Sequence, residues 1–190
     1  IAAVDMDDIL TGVATYGADI RVPNCLVAVI ARPPVVGSEV QSYDASTCLK
    51  VAGVKQIVEL PVPQGALSYQ PLGGIAVVAT NTWAAMEGRR QLEIEWRETD
   101  NDSYDSAKFR LQLEQESRSA GDLKRNVGDV DSALASAEKR IEATYYTPHL
   151  AHAPMEPPTA TADYKNGKVE VWSACQNPQA DRATIASVLG

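Results

Sequence analysis

The chain has 190 residues, of which 45% are hydrophobic and 22% charged, with a formal net charge of -8. This composition excludes a disordered, collagen-like or disulfide-stapled chain, because each of those needs a strong compositional bias. An acidic chain repels phosphate backbones and its few basic residues do not cluster, so we expect no nucleic-acid partner. No apolar run approaches the roughly 18 residues that a membrane helix needs, so we expect no transmembrane segment in this chain.

The first half of the chain alternates strand-like runs with short helical ones. Strands are predicted over residues 25–32, 40–44, 55–60, 75–80 and 92–96, and a short helix over 45–51. The run IAVVAT is apolar throughout, which is typical of a strand covered on both faces. Asn81 or Thr82 can cap the helix that follows it. We expect Trp83, Ala84 and Met86 to begin the apolar side of that helix.

Polar segments separate these elements and follow them. Residues 61–71 contain three prolines and predict a loop across the surface. From residue 98 to 137 the composition becomes polar and charged, which is typical of a connector between domains. A helix is predicted over 103–120, although its apolar residues also alternate with period two and a strand is a rival. A second short helix is predicted over 131–139.

The last part of the chain resembles the beginning of another domain. Strand-like runs occupy residues 140–147, 160–164 and 169–173. Asn166 and Gly167 separate the last two runs and predict a tight β-hairpin. Asn177 is a suitable cap, and Pro178 a suitable first residue, for a helix that runs to Leu189. A hairpin and one helix cannot close a core in about 50 residues, so we expect the chain to be a fragment.

The cysteines and histidines do not form a recognisable metal site. Cys25, Cys48 and Cys175 are an odd number at wide spacings, which suits neither a disulfide framework nor a zinc site. We expect all three to be buried structural thiols. His149 and His152 are bracketed by prolines, so the segment is not expected to be a helix that presents both on one face. The sequence also lacks a nucleophile elbow, a Walker loop and the zinc-protease pair of histidines.

Polar residues within an apolar, proline-rich segment remain as candidates for a site. His152 and Glu156 lie in this segment, and Gln176 follows a predicted strand. Strand ends and fixed loops are where binding and catalytic residues are often placed. The alternative for each is a structural role, and for Gln176 that of a neighbour of the helix cap.

Three blocks of the sequence resemble, in order, parts of a known enzyme family. They read LTGVATYGADIRVPNCLVAVIARPP, GGIAVVATNTWAAMEGRRQLEIEW and EATYYTPHLAHAPMEPPTATADYKNGKVEVWSACQNPQADRATIASVLG. The first two resemble the hammerhead domain in the molybdenum-binding large subunit of the xanthine dehydrogenase and aldehyde oxidase superfamily. The third resembles the start of the molybdopterin-binding domain that follows it. Within the superfamily the blocks look most like isoquinoline 1-oxidoreductase beta subunits and membrane-associated aldehyde dehydrogenases.

The resemblance implies an α+β fold in three parts. These are a hammerhead-type domain over residues 1–98, a helical connector over 99–137 and the truncated start of a molybdopterin-binding domain over 138–190. It implies a molybdopterin cytosine dinucleotide and a small [2Fe-2S] subunit in the parent enzyme. That enzyme would hydroxylate an N-heteroaromatic compound or an aldehyde with oxygen from water. The family's glutamate base and pterin loops have no match in this chain, so the chain alone is expected to be inactive and free of cofactor.

The resemblance also assigns roles to individual residues. Gln176 matches a glutamine that lies beside the molybdenum and hydrogen-bonds one of its oxygen ligands. Glu156 matches an acid common in this motif, and we assign it to support of the domain's first sheet or to the pocket wall, without proton transfer. His152 and Met155 are assigned a supporting or structural role. Cys175 departs from the family, where xanthine dehydrogenases usually have Thr. The alternative function is a non-catalytic hammerhead module that docks a partner subunit.

Overall fold

The computed structural model describes residues 3–62 and 72–190. The strands in this part of the chain are β1 (Val27–Ala31), β2 (Val40–Asp44), β3 (Val54–Leu60), β4 (Gly74–Ala79), β5 (Glu93–Trp96), β6 (Ala160–Lys165) and β7 (Lys168–Ser173). The helices are α1 (Met6–Thr11), α2 (Thr82–Arg90), α3 (Ser106–Glu116), α4 (Val130–Ser136) and α5 (Pro178–Leu189). Most of the loop predicted over 61–71 lies outside the described residues. The mixture of helices and sheets confirms the predicted α+β class.

The core is built around β4, which lies between β1 and β3 in a three-stranded antiparallel sheet. Ile75, Val77 and Ala79 alternate along β4 and are completely buried. Ala76, on the opposite face, is only 6% exposed, and Val78 is half-buried. The prediction of a strand covered on both faces is therefore confirmed. A second, two-stranded sheet pairs β2 with β5, and its residues close the core beside β4.

Helix α2 begins as the sequence predicts but buries a different face. The Asn81 side chain accepts a hydrogen bond from the backbone N–H of Ala84, at 2.9 Å, which confirms Asn81 as the cap. The buried residues of α2 are Ala84, Ala85 and Gly88. Trp83 is 66% exposed, so the prediction that it begins the apolar side was wrong.

Close packing explains which face of α2 is buried. A Cβ atom at Gly88 would lie 2.8 Å from Val54 Cγ2 and 2.9 Å from Val77 Cγ1. The helix backbone therefore approaches the sheet so closely that only small side chains fit between them. Met86, expected on the apolar side with Trp83, is 38% exposed for the same reason.

Only one of the three cysteines is a buried structural thiol. Cys48 is completely buried, in a short 3-10 turn (Cys48–Lys50) that replaces the helix predicted over 45–51. Burial raises the pKa of the Cys48 thiol. Cys25 and Cys175 are exposed, so the expectation of burial was wrong for both. Cys25 precedes β1 and Cys175 follows β7, and neither position faces a packed layer.

The connector contains the predicted helices, and the segment after it lacks one predicted strand. Residues 106–116 form α3 and not a strand, because Asp105 accepts hydrogen bonds from the backbone N–H groups of Ala107 and Lys108. Helix α4 is shorter than predicted and ends at residue 136. The run 140–147 has no strand partner among the described residues, and β-forming side chains need one. It instead runs beside α3, where the Arg110 guanidinium lies 4.6 Å from the centre of the Tyr146 ring.

The last elements follow the sequence closely. Strands β6 and β7 pair in antiparallel register, with Thr161 opposite Trp172. Asn166 and Gly167 have φ angles of 52° and 75°, as the predicted tight turn requires. Every described residue after 96 is half-buried or exposed, so the buried core lies wholly in the first half of the chain. No helix in the described ranges is both long and apolar enough to cross a membrane.

Candidate functional site

Gln176 lies in the short loop between β7 and α5. Strand β7 ends at Ser173, and Asn177 caps α5 by accepting a hydrogen bond from the backbone N–H of Ala180, at 3.2 Å. The Gln176 side chain is exposed, and no described group hydrogen-bonds with its amide. The loop therefore holds a neutral hydrogen-bond donor between two fixed elements, with the donor free for a ligand.

Cys175, the neighbour of Gln176, has an electrostatic environment set by α5. Asp181 lies in the first turn of that helix, and its carboxylate raises the pKa of the exposed Cys175 thiol. The thiol is therefore less ready to ionise than an ordinary cysteine. A reactive thiolate is not the chemistry that this loop favours.

Glu156 is tied to a distant part of the chain. Its Oε1 atom accepts a hydrogen bond from the backbone N–H of Gly17, at 2.9 Å, across 139 residues of sequence. Gly17 begins a 3-10 turn (Gly17–Asp19), in which Asp19 accepts a hydrogen bond from the Tyr16 N–H. Glu156 is half-buried, while its sequence neighbours are exposed. The carboxylate therefore connects this turn to the segment that leads into β6.

An open pocket of about 400 Å³, called the cavity below, lies at the surface beside this contact. Its walls come from the turn near Gly17, from Glu156 and from the end of β7. The residues that line it are Thr15, Gly17, Ile20, Glu156, Val171, Trp172, Ser173 and Ala174. Glu156 and Ala174, which leads from β7 towards the Gln176 loop, therefore line the same pocket.

His152 and Met155 do not join this cluster. Both are exposed, and Met155 is 99% exposed. No helix forms around them, as the flanking prolines predict. His149 turns instead towards the connector, with Nδ1 3.4 Å from the Tyr104 hydroxyl oxygen and its ring 5.6 Å from that of Phe109. The two histidines thus have different surroundings.

Sequence reasoning missed the residues on the other side of the cavity. Gly17 lies in the YGADIRVP block that carries the family resemblance, which was the available signal. Neither periodicity nor spacing connects it to Glu156, because the contact is long-range. Trp172 lay within a predicted strand, and nothing in that strand's pattern marked it as part of a wall.

The described residues in this region do not form a metal-ligand set. Within residues 3–62 and 72–190, no three His, Cys, Asp or Glu side chains gather where they could hold a metal ion. The free amide of Gln176 is a hydrogen-bond donor without charge. It can orient a group of a bound cofactor without altering the charge balance there.

Comparisons with known proteins find a matching family model and similar enzyme subunits. Residues 112–190 match the family model of the molybdopterin cofactor-binding domain. The chain is 31% identical over 189 residues to a nicotinate dehydrogenase subunit of Pseudomonas putida, covering 98% of this chain and 15% of that protein. It is 27% identical over 198 residues to the beta subunit of isoquinoline 1-oxidoreductase of Brevundimonas diminuta, covering 98% of this chain and 24% of that one.

The fold also matches a solved structure. Quinoline 2-oxidoreductase from Pseudomonas putida 86 aligns with a TM-score of 0.66 and 16% identity, over 98% of this chain and 28% of that chain. This match shows a shared fold over almost the whole chain. The chain is short beside its relatives: it spans 15% of the nicotinate dehydrogenase subunit and 24% of the isoquinoline 1-oxidoreductase subunit.

Proposed function

We propose that the chain forms part of the molybdenum-binding large subunit of a molybdenum hydroxylase, because it is similar to the molybdopterin cofactor-binding domain model and to subunits of nicotinate dehydrogenase and isoquinoline 1-oxidoreductase. The reaction replaces a substrate C–H bond by C–OH. The oxygen comes from water, and two protons and two electrons leave. The observation that carries the proposal is the 31% identity to the nicotinate dehydrogenase subunit along 98% of this chain.

The proposed substrate is an N-heteroaromatic ring or an aldehyde. The names of the two relatives include nicotinate and isoquinoline, which are both N-heteroaromatic compounds. We therefore favour an N-heteroaromatic ring over an aldehyde as the substrate. The proposed cofactor is molybdopterin cytosine dinucleotide, and the proposed partner is a small subunit with [2Fe-2S] clusters that takes the electrons onward. The nucleotide form of the cofactor and the identity of the partner rest on the family resemblance.

Gln176 is proposed to lie beside the bound cofactor. When bound, the molybdenum cofactor supplies the two-electron chemistry of the reaction. Gln176 would donate a hydrogen bond from its amide and orient the group that it contacts. Its exposed position between β7 and the cap of α5 supports this role, and the amide carries no charge that would oppose electron transfer. A donor of this kind positions groups and moves no proton.

Glu156, His152 and Met155 are assigned a supporting role. The hydrogen bond from Gly17 to Glu156 supports the assignment of this carboxylate to the wall of the pocket. The supporting role proposed for His152 and Met155 rests on the family resemblance alone, because both are exposed.

The proposed organisation keeps the hammerhead-type domain at 1–98, the connector at 99–137 and the start of the molybdopterin-binding domain at 138–190. The concentration of buried residues between 38 and 92 supports a self-contained first domain. The exposed hairpin β6–β7 supports a second domain that needs more chain to close. The chain alone is therefore proposed to be inactive.

The function is tested in the assembled enzyme, expressed with its cofactor and its partner subunit. Nicotinate, isoquinoline and an aromatic aldehyde are offered in isotopically labelled water. We expect the label in a hydroxylated product of at least one of them. Product without the label, or turnover that persists in enzyme made without molybdenum, would contradict the proposed reaction.

The role of Gln176 is tested by Gln176→Ala in the same enzyme. Turnover per molybdenum should fall by about ten- to a thousand-fold, the scale of losing a group that positions reacting atoms. Molybdenum content should stay unchanged. Gln179→Ala is the matched control, because Gln179 is an exposed glutamine in the first turn of α5. Equal turnover for Gln176→Ala and Gln179→Ala would reduce Gln176 to a neighbour of the helix cap.

A further inference from the structure

The contact between Gly17 and Glu156 joins two parts of the chain that are otherwise far apart in sequence. The Gly17 N–H donates to Glu156 Oε1 at 2.9 Å, and the two residues are 139 positions apart. Gly17 precedes the core sheet, whereas Glu156 leads into β6. The turn at Gly17 also contacts β6 itself. The turn is therefore held by the hairpin at more than one point.

The space at this contact is narrow for a side chain at residue 17. A Cβ atom there would lie 2.7 Å from Thr159 Oγ1 and 3.4 Å from Glu156 Oε1. A contact of 2.7 Å between Cβ and an oxygen atom requires the exposed Thr159 side chain to rotate or the turn to move. The turn and the segment that leads into β6 thus meet with backbone close to side chain, and glycine fits there without rearrangement.

The same contact borders the end of β7. Gly17 and Glu156 line the cavity together with Trp172, Ser173 and Ala174. Gln176 follows Ala174 by two residues, which span at most about 7 Å of extended chain. Asn177 fixes the other end of this short loop by capping α5. The loop that carries Gln176 is therefore joined at one end to the wall of this pocket and at the other end to α5.

We propose that Gly17 and Glu156 form a joint that holds the turn Gly17–Asp19 against the hairpin and thereby sets the position of Gln176. Glu156 is in this sense a positioning residue, which acts on the cofactor site through β7. The last step, from β7 to the chemistry, rests on the proposed function of Gln176. The joint itself does not, because it is a contact within this chain.

The joint is tested first in the chain itself. A background with Trp83→Phe and Trp96→Phe leaves Trp172 as the only tryptophan, since the chain has three. Glu156→Ala and Gly17→Ala should each shift the Trp172 emission to longer wavelength and speed exchange of the residue 17 amide by about tenfold or more. Glu156→Gln keeps an acceptor oxygen and should restore both signals.

Two measurements show that these effects are local. Exchange within β4 should be unchanged in both variants, which separates loss of the joint from loss of the fold. Glu142→Ala removes an exposed carboxylate from the same half of the chain and should change nothing. Unchanged Trp172 emission and residue 17 exchange in Glu156→Ala, with β4 intact, would overturn the joint.

The link to Gln176 is tested in the assembled enzyme at equal molybdenum content. Glu156→Ala should lower kcat, and the double variant with Gln176→Ala should be no slower than Gln176→Ala alone, because both changes act on one group. If the double variant loses kcat by the product of the two single losses, the changes act independently, and the positioning role of Glu156 is overturned. If Gln176→Ala is fully active while the spectroscopic effects in the chain are present, the proposed role of Gln176 fails and the joint stands.

Discussion

The replacement Gly88→Ala tests whether α2 packs on the sheet as closely as the structure indicates. The new Cβ atom would lie 2.8 Å from Val54 Cγ2, 2.9 Å from Val77 Cγ1 and 3.3 Å from Cys48 Sγ. Two of these distances are shorter than real Cβ contacts allow. Val77 and Cys48 are completely buried, so neither can move into solvent to make room.

Two opposing effects determine the change in stability. Overpacking of a well-packed core costs about 1–3 kcal/mol. Alanine in place of glycine inside a helix contributes about 1 kcal/mol in the other direction. Val54 and Val77 are rigid, β-branched side chains on strands, so we expect a cost in the upper part of this range. The net loss should be about 1–2 kcal/mol, a substantial part of a stability of about 5–15 kcal/mol.

The assay is urea unfolding of Gly88→Ala, Val54→Ala and the double variant. Gly88→Ala should lower the midpoint without changing the slope. Val54→Ala removes the nearest obstructing methyl group, so the double variant should be more stable than the sum of the single changes predicts. If Gly88→Ala stabilises the chain, or if the two changes simply add, α2 is not packed against Val54 in this way.

Other predictions concern thiol reactivity, amide exchange and pH. Under native conditions iodoacetamide should modify Cys25 readily and Cys175 more slowly, because a neighbouring carboxylate raises the pKa of Cys175; Cys48 should react only on unfolding, and early modification would contradict its burial. Amides of β4 should exchange most slowly and those of the hairpin β6–β7 faster, and equal protection would contradict an unclosed second domain. A hydrogen bond from Arg90 lowers the pKa of Glu87, so its stabilisation is present above the ordinary carboxyl pKa and lost as pH falls through the lowered value. Glu87→Gln should therefore weaken the acid dependence of unfolding.

Local signals in the sequence were sufficient for the elements. The alternation or continuity of apolar residues predicted β2, β3, β4 and β5 close to their observed bounds. Asn166 and Gly167 predicted the turn of the last hairpin, and Asn177 with Pro178 the start of α5. Each of these features depends on residues within a few positions of one another, so a single sequence contains the necessary information.

The same local signals failed where a distant partner decides the outcome. Trp83 was expected to face the core because it is large and apolar, yet the small residues of α2 do so, since the sheet lies too close for a larger side chain. Residues 140–147 have the composition of a strand and lack a partner strand in the described chain. Cys25 and Cys175 were expected to be buried because cysteine is usually a buried residue type. Both are exposed, because they lie outside the packed core.

For the candidate site, the sequence by itself determined the residue types and the order of the blocks. The ACQNP block and its family resemblance singled out Gln176, and the flanking strand and helix cap placed it in a loop. Only the tertiary structure placed Gly17 against Glu156, because a hydrogen bond between residues 139 positions apart leaves no periodicity or spacing to read. The chain fold decides which backbone N–H meets that carboxylate, and so which residues form the wall beside the Gln176 loop.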